Sequence, residues 1–311
     1  MRTPVSRVGN KTPILSTIYR LFPMQYRTYV DVFGGSGSVL FGKPTVDPIE
    51  VYNDYDSNLS NLFMCMKDRP LALMRELKFA HITSRAEFDA IKMFLQAEDL
   101  PQPYMDDEFA LASEMFPEDM AEEIISLRMS KAEDHDVRRA AAYLKSLRMS
   151  YASMGSSYAA QPFNVERLCG LLQEAGRRLQ PVIVENKDFE CIIRHYDADD
   201  TFFYLDPPYL STEGMYDVQF ALEDHYRLRD LLHQIKGKFL LSYNDCDAVR
   251  GWYCSFPMFE FTRPHSMKQR YDAGSLFPEL LIGNYDIYEK MRTQPAQMNL
   301  FENYEEGGNP Q

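Results

Sequence analysis

The tetrapeptide Asp206-Pro207-Pro208-Tyr209 contains the residues of this sequence that are best suited to chemistry. It directly follows the short aromatic run Thr201–Leu205, which predicts a buried strand. That strand would carry a carboxylate to its carboxyl end, where two prolines would end the hydrogen-bond ladder and stiffen the backbone. Because open α/β sheets bind ligands at the carboxyl ends of their strands, the tetrapeptide is a candidate site.

The side chains of this tetrapeptide suit the positioning of a planar, weakly nucleophilic amino group. The carboxylate of Asp206 can accept one hydrogen bond from an NH2 group, and the carbonyl oxygen of Pro207 can accept the second. Tyr209 can stack on the ring that carries the amine. The alternative is that the tetrapeptide is only a structural turn with a packed tyrosine. A short motif alone does not decide between the two, so the rest of the sequence must support the functional interpretation.

A glycine-rich turn, Gly34–Ser38, follows a second predicted strand, Tyr29–Phe33, and precedes a predicted helix that begins at Val39. A strand, a glycine turn and a helix in this order allow a nucleotide to approach the backbone closely. The turn is therefore a second candidate site, for a cofactor.

Three interpretations of this turn compete. The dinucleotide pattern GxGxxG fails because Leu40 stands at the last glycine position. A phosphate-binding P-loop has its spacing at residues 37–43, but Pro44 replaces the Ser or Thr that would hold magnesium, and it would break the helix. The third interpretation is a loop that holds the amino-acid part of S-adenosylmethionine.

Two further acids are predicted at strand ends. Pro48–Tyr52 predicts a strand, and Asp54 lies about 20 residues past the glycine turn, the offset of an acid that binds ribose hydroxyl groups. Pro181–Glu185 predicts another strand, after which Asp188 and Phe189 could bind the amino group and the ring face of an adenine. Asp188 also suits the N-cap of the helix that follows, and the two roles are compatible. Together with the glycine turn, these residues predict an adenosine-containing cofactor.

The composition narrows the class of protein. The chain has 311 residues, of which 45% are hydrophobic and 25% charged, so it can bury a sizeable core. No apolar run is long enough for a membrane span, and the N-terminal segment lacks the apolar core of a signal peptide, so we expect a cytoplasmic protein. The five cysteines form no CxxC pair and the six histidines no HxxxH pair, which predicts reduced thiols and no metal site. The net charge of −13 disfavours a generic nucleic-acid coat protein but not an enzyme with a local basic cleft.

The α/β pattern is interrupted in the middle of the chain. We predict a discontinuous catalytic domain over residues 1–60 and 166–290, a largely helical insert over 61–165 and a disordered tail over 291–311. Residues 98–123 of the insert are acidic, whereas the later part is basic and aromatic and suits contacts with phosphates and bases. The candidate nucleic-acid contacts in the insert and in a loop over 262–274 are Arg138, Arg139, Arg148, Tyr151, Ser153, Arg263, Lys268 and Arg270.

Over most of residues 8–288, these motifs resemble, in the same order, those of the DNA adenine methylase (Dam-like) family of adenine-N6 DNA methyltransferases. The tetrapeptide at 206–209 resembles the catalytic motif of that family and is the most specific signal. Lys11, which alone would be interpreted as a solvated lysine, falls in a segment similar to the N-terminal cofactor motif. The supporting motifs are Lys11-Thr12-Pro13, Asp31–Ser38, Asn53-Asp54, Asp188-Phe189, Leu241–Asp245 and Glu279–Tyr285.

The resemblance implies an α/β fold: a seven-stranded, Rossmann-like sheet of the S-adenosylmethionine-dependent methyltransferases, with helices on both faces and an inserted, mainly helical target-recognition domain. It implies S-adenosylmethionine as methyl donor and a catalytic role for the tetrapeptide at 206–209. The cofactor contacts that it implies are Lys11, Phe33, Gly35, Gly37, Ser38, Asp54, Asp188, Phe189 and Asp206.

The implied activity is site-specific methylation of adenine N6 in double-stranded DNA, in a bacterium or a phage-infected cell. The base must leave the stack before its amino group can react. Asp206 and Pro207 would then hold N6, Tyr209 would stack on the base, and the basic loop over 262–274 would clamp the strand. A cognate restriction endonuclease is a further implied partner. The acidic stretch lies where DNA should dock, which leaves the mode of recognition open.

A separate motif lies near the end of the chain. The segment Gln297–Phe301 resembles the short peptide by which bacterial DNA-processing proteins dock on the replication sliding clamp. Two other functions stay open as alternatives: an RNA adenine-N6 methyltransferase, and a non-catalytic DNA-binding or P-loop protein. The presence of Asp206 and the proline at position 44 disfavour the second of these.

Overall fold

The structure of the protein is a computed structural model. It describes residues 1–5, 7, 9–79, 85–96, 135–150, 164–210, 220–264 and 276–293, together with isolated positions between 110 and 120.

The strands of the described residues form one seven-stranded sheet in the order β3-β2-β1-β4-β5-β7-β6. The first five strands pair in parallel, whereas β7 runs antiparallel to its two neighbours, β5 and β6. This mixed sheet confirms the predicted fold class. The strands are β1 (Thr28–Asp31), β2 (Ile49–Asn53), β3 (Val182–Glu185), β4 (Thr201–Leu205), β5 (Lys238–Asn244), β6 (Met258–Pro264) and β7 (Leu276–Gly283).

Both faces of the sheet are buried. In β4, Phe202 and Tyr204 belong to one hydrophobic cluster, and Phe203 and Leu205 belong to a second cluster. Successive side chains of a strand point to opposite faces, so each cluster fills one side of the sheet. This double burial explains why the strand is continuously apolar in sequence instead of alternating.

Helices cover the two faces, and several begin at an aspartate that accepts hydrogen bonds from the first turn, as Asp56 does from the N–H groups of Asn58 and Leu59. No described helix is both long and apolar enough to cross a membrane. The helices are α1 (Leu15–Arg20, preceded by a 3-10 turn over Thr12–Ile14), α2 (Ser38–Gly42), α3 (Ser57–Asp68), α4 (Pro70–Phe79), α5 (Arg85–Gln96), α6 (Val137–Met149), α7 (Val165–Leu179), α8 (Phe189–Tyr196), α9 (Leu222–Leu232), α10 (Asp247–Trp252) and α11 (Glu289–Thr293).

The described helices of the predicted insert share a core with the sheet. Phe63 of α3, Leu73 of α4 and Leu144 of α6 belong to the same buried cluster as Tyr52 of β2. The predicted boundary after residue 60 falls inside α3, and the one at 165 falls at the first residue of α7. A separate target-recognition domain therefore stays a prediction, and residues 97–109, 121–134 and 151–163 of the insert lie outside the described residues.

Several predicted boundaries differ from the structure. Strand β1 ends at Asp31 instead of Phe33, because the backbone leaves the ladder to form the glycine turn. The apolar segment Glu279–Tyr288 predicts a final strand, but β7 ends at Gly283, because the side chain of Asn284 bonds the backbone of residues 237 and 239 and turns the chain away. Helix α11 contains residues 291–293, the start of the predicted disordered tail, and the remainder of the tail lies outside the described residues.

A buried ion cluster fixes the start of β2 against helix α7. Arg178 donates to both carboxylate oxygens of Glu50, at 2.6 and 2.9 Å, and Lys43 Nζ lies 2.7 Å from Glu50 Oε1. Burial raises the pKa of Glu50, but the hydrogen bonds from Arg178 and Lys43 outweigh it and hold the pKa below its usual value. The cluster thereby sets the position of the strand that leads to Asp54.

Replacing Arg178 by alanine should lower the free energy of unfolding by about 3 kcal/mol, because the buried Glu50 carboxylate loses the arginine that donates to both of its oxygens. Urea unfolding at pH 7 measures the change. The exposed neighbour Arg177 in the same helix provides a matched control. Arg177→Ala should change the free energy of unfolding by less than about 0.5 kcal/mol. Equal effects of the two substitutions would contradict a structural role for the cluster.

Candidate active site

The candidate site lies at the carboxyl edge of the sheet, where β1 pairs with β2 on one side and with β4 on the other. The chain moves outward from β1 to β2 and β3 and then returns to β4, which makes this the point where the strand order reverses. Ligands of open α/β sheets bind in the crevice at such a point. Asp31, Asp54 and Asp206 all come from strand ends at this crevice.

The central contact of the site joins Lys11 to Asp206. Lys11 Nζ lies 2.7 Å from Asp206 Oδ2, and the lysine residue is only 3% exposed. The backbone N–H of Lys11 donates to Ser38 Oγ at 3.2 Å, so the first turn of α2 holds the lysine in place. The interpretation of Lys11 as a solvated lysine is wrong, because a buried ammonium group requires a charged partner and finds it in Asp206.

Tyr209 is buried behind Asp206. Its hydroxyl group lies 3.1 Å from Ser242 Oγ, and its ring stacks on Tyr243 and Phe277 at centroid distances of 5.8 and 6.2 Å. Lys11 Nζ lies 5.2 Å from the centre of the same ring. The stacking partners of Tyr209 in this structure are thus protein side chains, and its predicted stacking on a base stays a prediction. Of the two prolines, Pro207 is buried and Pro208 half-buried.

Tyr52 and Asp54 hold the glycine turn by hydrogen bonds to the backbone of Gly35. Tyr52 donates its hydroxyl hydrogen to the carbonyl oxygen of Gly35, at 2.7 Å, while its ring stacks on Phe63 at 3.9 Å. Gly35 N–H donates to Asp54 Oδ2 at 2.8 Å. Gly35 and Gly37 have φ values of +52° and +67°, a region that side chains disfavour, so the turn requires glycine at both positions.

Asp54 also connects the turn to the insert. Its Oδ1 accepts a hydrogen bond from the backbone N–H of Asp56 at 2.9 Å. Asp56 Oδ2 in turn accepts a hydrogen bond from the hydroxyl group of the buried Tyr143 in α6, at 2.7 Å. A continuous set of hydrogen bonds therefore runs from helix α6 to the glycine turn.

Gly34 has no room for a side chain, because a Cβ atom would overlap the ring of Tyr52. We therefore expect Gly34→Ala to displace that ring, to distort the turn and to lower the affinity for the methyl donor by about tenfold or more. Isothermal titration with S-adenosylhomocysteine measures the affinity. The control is Gly170→Ala in helix α7, where a Cβ meets nothing within 4 Å. That substitution should leave affinity unchanged and should not reduce stability. Unchanged affinity in Gly34→Ala would contradict the role of the turn.

The residues predicted to bind the cofactor near its adenine, Phe33, Asp188 and Phe189, lie close together beyond the ends of β1 and β3. The half-buried ring of Phe33 lies 5.7 Å from that of Phe189, and Phe220 packs on both, at 5.7 and 5.6 Å. Asp188 caps helix α8 by accepting a hydrogen bond from the N–H of Glu190 at 2.9 Å, as predicted. These residues provide ring faces and a carboxylate at the edge of the crevice.

Asp31 is buried at the centre of the site, and its Oδ2 accepts no hydrogen bond from any described residue. The pKa of Asp31 is raised to about 8, first by burial and then by the charges of Asp206 and Asp54. The hydroxyl group of Tyr29 and the charge of Lys43 act in the opposite direction. The ligand-free protein therefore binds a proton at Asp31 over a range in which an exposed aspartate is ionised.

This raised pKa predicts that Asp31 lowers stability as pH increases. The folded state binds a proton that the unfolded state has already released, so the free energy of unfolding should fall between about pH 4 and pH 8, by up to about 1.4 kcal/mol per pH unit. Asp31→Asn should remove this fall and should stabilise the ligand-free protein most at pH 8 and above. Urea unfolding at four pH values from 5.5 to 8.5 tests this, with the exposed Asp199→Asn as control. Parallel curves for wild type and Asp31→Asn would contradict it.

Lys43 excludes the P-loop interpretation. The side chain is buried and bound to Asp47 and Glu50, so it points into the protein and not toward a phosphate. Helix α2 also ends at Gly42, directly before this lysine.

The predicted DNA contacts fall into three groups. Arg138 is exposed on α6 and free of the contacts that hold its neighbours. Arg139 bonds Asn58 Oδ1 and the carbonyl oxygen of residue 95 at 2.6 and 2.7 Å, and Arg148 bonds the carbonyl oxygen of residue 4 at 2.6 Å. These contacts hold Arg139 and Arg148 against the protein, and the predicted DNA contact of each stays a prediction. Arg263 belongs to strand β6. The other four candidates, Tyr151, Ser153, Lys268 and Arg270, lie outside the described residues.

Four residues that build the site have no role that is predicted from the sequence. Tyr52 supports the glycine turn, and Ser242 and Tyr243 back Tyr209. Asn53 bonds the backbone of Val32 and Lys187, at 2.9 and 3.0 Å, and so joins the ends of three strands. Their position near strand ends marks them as candidate site residues. Their roles depend on partners that are distant in sequence, so those roles are not visible in the sequence alone.

The reversed seventh strand, the glycine turn after β1 and the acids after β2 and β4 define a methyltransferase. A family model of the D12 class of N6 adenine-specific DNA methyltransferases matches residues 8–271. The chain belongs to this family, and it is an adenine-specific DNA methyltransferase.

Two relatives agree with this assignment. The chain is 25% identical over 309 residues to the type II methyltransferase M1.LlaDCHI of Lactococcus lactis subsp. cremoris, an alignment that covers 89% of this chain and 93% of the relative. It is 30% identical over 91 residues to the type II methyltransferase M.CviBI of Paramecium bursaria Chlorella virus NC1A, with 29% and 35% covered.

Proposed function

We propose that the enzyme transfers a methyl group from S-adenosylmethionine to N6 of an adenine that has left the DNA stack, at a specific site in double-stranded DNA. The observation that carries the proposal is the ion pair of Lys11 and Asp206 beside the glycine turn, at the carboxyl edge of the sheet. The family membership supplies the reaction class, and the geometry of this edge supports the roles of the residues.

The residues at the crevice fit this methyl donor. Glycine at position 34 lets the ring of Tyr52 pack directly against the turn, which fixes the backbone that borders the crevice. Asp54 and Asp188 provide carboxylates suited to ribose hydroxyl groups and to an adenine amino group, and Phe33 provides a half-buried ring. S-adenosylmethionine supplies, when bound, a methyl group activated by a positively charged sulfur.

Asp206 positions the reacting amino group. Lys11 neutralises Oδ2 of Asp206 and fixes the carboxylate, while Oδ1 accepts no hydrogen bond from the described residues. Oδ1 is therefore free to accept a hydrogen bond from N6, and the carbonyl oxygen of Pro207 accepts the second. These two acceptors orient a poor nucleophile for attack, and such positioning supplies a large part of the rate enhancement. The base leaves the stack because its amino group is otherwise paired.

DNA contacts, partners and location complete the proposal. The exposed Arg138 and the basic residues Arg263, Lys268 and Arg270 are proposed to contact phosphates, with Tyr151 and Ser153 near the bases. Docking on a sliding clamp through Gln297–Phe301 rests on sequence resemblance. A companion restriction endonuclease is supported by the type II designation of the two relatives. We further propose that the enzyme acts in the cytoplasm of a bacterium or a phage-infected cell, and that it needs no metal ion.

The alternative substrate is RNA, and a direct comparison separates the two. Labelled methyl transfer from S-adenosylmethionine is measured on unmethylated DNA and on RNA of the same sequence, followed by nucleoside analysis and sequencing of the modified positions. N6-methyladenine in one short DNA context supports the proposal and identifies the recognised site. Transfer to RNA alone would overturn it.

Substituting Asp206 should strongly reduce methyl transfer without abolishing donor binding. We expect Asp206→Asn to reduce the rate constant of transfer by about 100-fold or more, because the acceptor that orients N6 loses its charge. Asp206→Ala should reduce it further and also lower stability, since it leaves Lys11 buried and unpaired. Single-turnover transfer and titration with S-adenosylhomocysteine measure the two properties.

Asp199→Asn, in the exposed turn before β4, is the control and should leave both properties unchanged. A wild-type transfer rate in Asp206→Asn would contradict the catalytic assignment. Loss of donor binding in that variant would instead assign Asp206 a role in binding the methyl donor.

A further inference from the structure

Arg227, in helix α9, contacts the predicted adenine-binding residues Asp188 and Phe189 at the start of helix α8. Its guanidinium group contacts three carboxylates: Nη1 lies 2.7 Å from Asp224 Oδ1, and Nη2 lies 2.9 Å from Asp188 Oδ1 and 3.0 Å from Glu190 Oε2. A guanidinium group presents its donors in one plane, so three partners fix its orientation far better than one surface pair would.

The same guanidinium group lies over the ring of Phe189, with its central carbon 4.8 Å from the ring centre. Arg227 thus contacts both members of the pair that is proposed to bind the adenine of the methyl donor, the ring of Phe189 and the carboxylate of Asp188. The ring of Phe33, at a centroid distance of 5.7 Å, is a second neighbour of Phe189.

The two oxygens of Asp188 have different surroundings. Oδ1 accepts hydrogen bonds from Arg227 Nη2 and from the backbone N–H of Glu190, both at 2.9 Å. Oδ2 accepts no hydrogen bond from any described residue, and the side chain is 34% exposed. The protein therefore holds one oxygen and leaves the other available to a ligand at the edge of the crevice.

We propose that Arg227 is a positioning residue that acts through Asp188 and makes the cofactor site selective for a purine with an exocyclic amino group. The inference rests on the proposed function, in which Asp188 receives the adenine amino group of S-adenosylmethionine. With Oδ1 and the Phe189 ring fixed by Arg227, Oδ2 faces the ligand as a charged acceptor. An amino group donates to it, whereas a 6-oxo group presents a second acceptor and is repelled.

Ligand selectivity tests this role. The affinities for S-adenosylhomocysteine and for its 6-oxo analogue S-inosylhomocysteine are measured by isothermal titration. The wild-type protein should prefer the adenosyl ligand. Arg227→Ala should lower the affinity for S-adenosylhomocysteine about tenfold and should barely change that for the analogue, so that the ratio of the two affinities falls. Because it compares two dissociation constants, the ratio is insensitive to a loss of folded protein.

Arg194→Ala is the matched control. Arg194 also pairs with Glu190, at 2.8 Å, but its side chain is 62% exposed and it is separate from the contacts with Asp188 and Phe189. Its substitution should leave the ratio at the wild-type value. Asp188→Ala should reduce the ratio as Arg227→Ala does, and the double variant should reduce it no further, because the arginine acts through the aspartate. Arg227→Lys, which keeps the charge without the planar fork, should give an intermediate ratio.

The possible failures are distinct. A wild-type ratio in Arg227→Ala, or an equal loss of affinity for both ligands, would overturn the positioning role and leave the proposed function intact. Effects of Arg227→Ala and Asp188→Ala that add in the double variant would overturn the action through Asp188. Failure of the wild-type protein to bind S-adenosylhomocysteine would overturn the proposed methyl donor, and the inference with it.

Discussion

The buried ion pair of Lys11 and Asp206 is the contact on which the arrangement of the site depends. A lysine that is 3% exposed is stable only if its charge is matched, and its partner comes from a strand almost 200 residues later in the chain (residue 206 against residue 11). The backbone of Lys11 is bound to Ser38 as well. The N-terminal segment, the glycine turn and the end of β4 must therefore be in place together, and none of them can adopt its position alone.

Negative charge dominates this crevice. Asp31, Asp54 and Asp206 come together at three adjacent strand ends. Lys11 pairs with Asp206, while the charges of Arg7 and Lys43 act on Asp54 and Asp31. The raised pKa of Asp31 results first from burial and then from the neighbouring carboxylates. Such a site favours a positively charged ligand, which would relieve the repulsion and ionise Asp31 as it binds. The acidity of the site thus agrees with a cationic methyl donor, even though it would repel the DNA backbone.

Local patterns were sufficient to predict individual strands and the motifs, and the resemblance to a family implied the seven-stranded sheet. Helix α8 begins directly after its predicted N-cap Asp188, and strand β4 begins and ends where its apolar run and flanking residues indicate. The acids and glycines were found because strand ends and turns have recognisable sequences. What could not be predicted depends on distant partners: the burial of Lys11 requires Asp206, and the structural role of Arg148 requires the backbone of residue 4. A basic residue on a helix has the same sequence signature whether it binds DNA or its own protein.

The hydrogen bonds that join Tyr143, Asp56, Asp54 and Gly35 limit how this enzyme can be redesigned. A helix of the insert helps to hold the acid that supports the glycine turn. The predicted insert is therefore structurally coupled to the glycine turn. A segment transplanted from a relative would need to bring a hydroxyl group to the position of Tyr143, or the glycine turn would lose that support.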